Sequence, residues 1–125
     1  MTMQQLVAVF VGGGLGSLCR YGLSSWLSHT DSYLPWPTLL ANIAACFILG
    51  TLLRYQLDDR ISATLWLLLA TGFCGGFSTF STFGAELMNY LQQGALGGAM
   101  AYVVVSLVAG VLALFGGYWA TNLFI

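Results

Sequence analysis

Four apolar blocks, roughly 6–27, 37–55, 62–91 and 97–124, take up most of the 125 residues and are joined by connectors of a few residues each. Every block reaches the ~20 residues that cross a hydrocarbon layer about 30 Å thick. Inside lipid the backbone must satisfy its own polar groups, so spans of this kind fold as helices. The connectors leave no room for a second domain, and the sequence predicts one all-α transmembrane domain over residues 1–125 with four helices.

The charge inventory agrees. Only 6% of residues are charged and 58% are hydrophobic, against about 25% charged in soluble domains. Arg20, Arg54 and Arg60 oppose Asp31, Asp58, Asp59 and Glu86, and lysine is absent from the sequence. Such a chain carries no basic patch for nucleic acid and no lysine for a phosphate-binding loop. His29, beside Asp31 in the first connector, reads as a solvated loop residue, because metal sites and triads need clustered ligands. Cys19, Cys46 and Cys74 lie in apolar sequence at wide spacing and read as small packing residues. An enzyme is not expected.

The first block lacks the basic start and short apolar core of a cleaved signal, and Arg20 lies deep within it, so it reads as a retained span. Its glycines, Gly12-Gly13-Gly14-Leu15-Gly16, follow no strand and do not make a dinucleotide loop. Gly12 and Gly16, with Gly13 and Ser17, instead form small faces for close helix contact, and Gly116-Gly117 offers another. The chain has two arginines flanking the second connector and one leaning toward the opposite side. This gives almost no orientation bias, and insertion in both directions is expected.

The third block is too long for one straight span: 30 residues at ~1.5 Å each give about 45 Å. Thr71-Gly72-Phe73-Cys74-Gly75-Gly76-Phe77-Ser78-Thr79 puts three glycines and hydroxyls at its middle, which predicts a break over residues 72–79. Broken helices at this depth commonly mark ion sites. Phe77-Ser78-Thr79-Phe80-Ser81-Thr82-Phe83 then alternates rings and hydroxyls, with Glu86 one turn on. Ring edges carry the positive part of the aromatic quadrupole, and hydroxyls donate hydrogen bonds without fixed charge. Such a lining suits an anion that must enter and leave quickly. Thr38 and Asn42 share a face of the second block, where Asn42 is either interhelical glue or a donor to an ion. Tyr102 and Ser106 share a face of the fourth, as a helix contact or as a pore wall. Arg20 is expected to be structural, either snorkelling or clamping carbonyls.

Three segments carry a family resemblance: Gly13-Gly14-Leu15-Gly16-Ser17-Leu18-Cys19-Arg20, Pro37-Thr38-Leu39-Leu40-Ala41-Asn42, and the string from Thr71 to Phe83 followed by Glu86. The sequence resembles the Fluc (CrcB) family of bacterial fluoride channels over almost its whole length, the last string being the most specific. The resemblance implies a dual-topology antiparallel homodimer in the bacterial inner membrane, with two fluoride pores and passive export of fluoride. It implies that Phe80, Phe83, Asn42, Thr38, Ser81, Thr82, Tyr102, Ser106 and Glu86 belong to the fluoride pore. A central structural sodium ion would be held by the backbone carbonyls of Gly75 and Ser78. Gly110, one turn past Ser106, brings no hydroxyl to the polar track. The competing reading is a small proton-coupled exporter of organic cations, in which Glu86 would exchange proton and substrate.

Overall fold

The computed structural model describes residues 1–28 and 32–125, so the reading of His29 and Asp31 falls outside the described residues. Four helical spans are long and apolar enough to cross a membrane. Helix α1 (Met3–Leu27) opens with a capping box, in which the Thr2 hydroxyl accepts the Gln5 N–H at 3.3 Å and the Gln5 side chain accepts the Thr2 N–H at 2.9 Å. Helix α2 (Trp36–Leu57) carries a proline in its first turn, where the missing N–H costs nothing. The third block forms two helices, α3 (residues 63–77) and α4 (Phe80–Gln92), and α5 (Leu96–Asn122) completes the chain. Gly94, at a φ of +70°, makes the turn between α4 and α5.

The break in the third span is narrower than the sequence predicts. The helix continues through Gly72, Gly75 and Gly76 and stops only at Ser78 and Thr79, whose ψ values of 157° and 117° are extended. The glycines serve close approach instead of interruption. Within α3, Leu67–Cys74 is wound as a π-helix. A Cβ on Gly12 would overlap the Leu68 carbonyl, one on Gly16 the Phe73 carbonyl, and one on Gly76 the Gly13 carbonyl. At these glycines the backbones of α1 and α3 meet directly, as small residues allow in membranes. Both sides of the break are capped by its own hydroxyls. Ser78 Oγ donates to the Cys74 carbonyl at 2.7 Å, and Thr79 Oγ1 accepts the Thr82 N–H at 3.2 Å.

A second close pair joins α2 to α5. A Cβ on Gly50 would strike the Leu114 carbonyl, and one on Gly117 the Phe47 carbonyl, whereas Gly116 only touches the Phe47 ring. At the far end of this pair, Arg54 reaches from α2 to the Asn122 side chain and to Asp58, with its guanidinium 5.8 Å from the centre of the Tyr118 ring. Helix α4 lies against α5, so the residues after the break face the α2–α5 pair. Large apolar side chains such as Phe10, Leu18, Trp26, Leu112 and Phe115 cover the outside of the bundle.

Candidate functional site

Asn42 reaches from α2 into the break. Its Oδ1 accepts the Thr79 N–H at 2.7 Å and its Nδ2 donates to the Thr79 carbonyl at 3.3 Å, so one carboxamide replaces the backbone partners that an extended residue has lost. The interhelical-glue reading of Asn42 therefore describes its contacts. An NH2 group has two protons, and the second remains for the cavity that Asn42 also lines.

That central cavity has a volume of about 250 Å³ and lies between α2, the break, α4 and α5, with Asn42, Cys46, Phe80, Phe83, Ser106 and Gly110 in its wall. Its sides belong to two stripes of i, i+4 spacing: Asn42 and Cys46 continue Thr38 on α2, and Ser106 and Gly110 continue Tyr102 on α5. Ser106 Oγ is the buried side-chain oxygen or nitrogen without a hydrogen-bond partner among the described residues. A buried hydroxyl left in that state costs about 1–3 kcal/mol, so it marks a place where a hydrogen-bonding guest is favoured.

One turn outward, Glu86 is held by both neighbouring helices. Thr38 Oγ1 donates to Glu86 Oε1 and the Tyr102 hydroxyl to Glu86 Oε2, each at 2.6 Å. Thr38 and Tyr102 are buried, Tyr102 completely. These short bonds fix the two hydroxyls and tie α2, α4 and α5 at one level. The rings continue the same line: Phe80 to Phe83 at 5.8 Å between centroids, Phe83 to Tyr102 at 4.9 Å and Tyr102 to Tyr90 at 6.0 Å, all tilted. Beyond Glu86 a second cavity of about 320 Å³, walled by Asn89, Tyr90 and Gln93 among others, opens at the end of the bundle.

Of the residues singled out from sequence, Thr38, Asn42, Phe80, Phe83, Glu86, Tyr102 and Ser106 thus converge on one line of two cavities and the level between them. Ser81 and Thr82 sit differently: both cluster around Thr79 Oγ1, at 3.3 and 3.0 Å, at the start of α4. The central cavity is lined without them. Arg20 Nε donates to the Gly76 carbonyl at 3.1 Å and so clamps the last turn of α3. Gly75 is exposed, with open space where a Cβ would stand. Its carbonyl would accept the Thr79 N–H in a continuous helix, but Asn42 takes that N–H instead. Thr79, Cys46 and Tyr90 were not among the expected site residues. Thr79 could have been found as the hydroxyl preceding a helix start, and Cys46 as the next i+4 step after Thr38 and Asn42.

Residues 7–118 match the family described as CrcB-like protein, Camphor Resistance (CrcB). The chain belongs to this family. It is 40% identical to the fluoride-specific ion channel FluC of Thermus thermophilus over 119 residues, which cover 94% of each chain. It is 43% identical to the protein of that name from Gloeobacter violaceus over 124 residues, 96% of this chain and 98% of the relative. Fluoride-specific ion channel FluC 1 of Yersinia pestis is 42% identical over 110 residues, 87% of this chain and 86% of its own. With four apolar helices, this CrcB chain is a multi-pass membrane protein, which in bacteria places it in the inner membrane. Its relatives are named as channels and not as enzymes.

Proposed function

We propose that this protein is a passive fluoride-selective channel that exports fluoride from the cytoplasm and lowers its toxicity. The observation that carries the reading is end-to-end similarity, at about 40% identity, to proteins named as fluoride-specific ion channels. The line through the bundle supports it chemically. A small, strongly hydrated anion needs compact donors to replace its water, and the central cavity offers the Ser106 hydroxyl and the spare Asn42 N–H, with Phe80 and Phe83 in the same wall. The exporter reading finds less support, because both oxygens of Glu86 are already engaged by hydroxyls.

The functional unit in this proposal is an antiparallel homodimer with two pores. Phe80 is 85% exposed on its own chain, although it lies on the central cavity. A second copy laid against α4 would close that side. A sodium ion at the dimer centre fits the residues present: Gly75 faces outward and its carbonyl lacks its helical partner. Ser78, where the helix ends, would contribute its carbonyl beside it. Neutral carbonyls suit a monovalent cation, which would join the two copies and satisfy backbone at the break.

Purified protein in liposomes is expected to release fluoride passively, without a proton gradient. Gradient-dependent movement of an organic cation with no fluoride conductance would overturn the proposal. A terminal tag should be labelled on both sides of the membrane, whereas labelling on one side alone would refute dual topology. Exchange of sodium for a large organic cation during purification should weaken the dimer or stop the flux, and unchanged dimer and flux would remove the sodium site.

A further inference from the structure

Above Tyr102 the stripe on α5 continues by one i+4 step to Gly98, where it has no side chain. The space is filled from elsewhere. A Cβ built on Gly98 would collide first with the phenol oxygen of Tyr33 and then with its ring, so Tyr33 of the α1–α2 connector lies directly over this glycine. Two contacts with α4 fix it there: the Tyr90 hydroxyl donates to the Tyr33 carbonyl, and the two rings are 5.5 Å apart, tilted by 59°. Tyr33 also lines the outer cavity whose inner end is Glu86. Tyr33 is 69% exposed, and its hydroxyl has no hydrogen-bond partner among the described residues.

We infer that Tyr33 supplies, from the α1–α2 connector, the outermost hydroxyl of the α5 polar stripe at the place left vacant by Gly98, and so forms the outer mouth of the fluoride path. The inference rests on the channel reading above. An ion that leaves the central cavity for water rehydrates past a level where the single hydroxyl protons of Thr38 and Tyr102 are already given to Glu86. A phenol one helical turn further out, with a free proton, divides that rehydration into two smaller steps. Glycine at 98 leaves the phenol that place, and a side chain there would push the ring aside.

Fluoride efflux from liposomes tests the position of the hydroxyl and not merely the presence of the ring. Tyr33→Phe keeps the stacking on Tyr90 and the backbone carbonyl that Tyr90 uses, and it should lower flux by about tenfold, the scale of one lost hydrogen bond to an ion. Tyr33→Ala should be at least as slow. Tyr33→Ala combined with Gly98→Ser returns a hydroxyl to the same place from α5 itself, and its flux should exceed that of Tyr33→Ala and approach the unmodified rate. Equal flux in Tyr33→Phe and the unmodified protein would overturn the inference, and so would failure of Gly98→Ser to improve on Tyr33→Ala alone. Either result with a conducting unmodified protein leaves the channel reading standing. An unmodified protein that passes no fluoride refutes the channel reading instead.

Discussion

Asn42→Ala should abolish fluoride flux and lower the melting temperature of the purified protein. The carboxamide closes both backbone groups of Thr79, at 2.7 and 3.3 Å, and no other described side chain reaches them. Alanine leaves a partly buried N–H and C=O without partners, at about 1–3 kcal/mol each, so a loss of roughly 2–6 kcal/mol is expected. The missing constraint also lets Thr79 recover helical angles, which would rotate Phe80 and Phe83 away from Ser106. Asn42→Asp separates the two bonds: it still accepts the Thr79 N–H but turns an oxygen toward the Thr79 carbonyl, so it should fall between alanine and asparagine in stability. Thermal melts and liposome efflux on the three proteins decide the matter. Unchanged melting with lost flux would assign the amide to the ion alone, and unchanged values of both would dismiss Asn42 from either role.

What sequence could reveal here follows from how strongly lipid restricts a chain. The four spans were legible to within a few residues, because hydrocarbon thickness and backbone satisfaction admit little else. The break was legible in existence and drawn too wide, since only Ser78 and Thr79 of residues 72–79 are extended. Glycines in a helix signal weakness and close approach alike, and only the facing glycines of α1 decide for close approach at Gly72 and Gly76. The π-helical winding of Leu67–Cys74 left no pattern to read in the sequence. Pairs on one helix, Thr38 with Asn42 and Tyr102 with Ser106, follow from i+4 spacing. Their joint hold on Glu86 does not, because it joins residues 48 and 16 positions apart. Ser81 and Thr82 enter the expected pore through the family resemblance, and their hydroxyls gather around Thr79 Oγ1 at the start of α4, which their position in the sequence does not announce. Tyr33 was invisible for a further reason: its counterpart, Gly98, is a glycine, which announces nothing.

Phe80→Ile and Phe83→Ile should each cut fluoride flux sharply, and the two rings differ in what else they cost. Phe83 packs between Phe80 and Tyr102, at 5.8 and 4.9 Å between centroids, so its replacement also loosens the Tyr102 level that holds Glu86. Some loss of stability is expected there, on the order of 1 kcal/mol for a ring contact. Phe80 is 85% exposed within its own chain, and isoleucine should leave that fold as stable as before. Phe80→Ile is therefore the cleaner probe of the ion path. Isoleucine keeps much of the bulk but has no positive ring edge to offer an anion. Ring-edge contacts of about 0.5–1.5 kcal/mol, lost at the barrier, slow passage by about two- to tenfold per ring, and the double variant should lose up to about a hundredfold. Efflux rates set beside melting curves and dimer recovery separate the two effects. Normal flux in a stable Phe80→Ile, Phe83→Ile protein would return both rings to packing and leave the central cavity with only Ser106 and Asn42 to attract an ion.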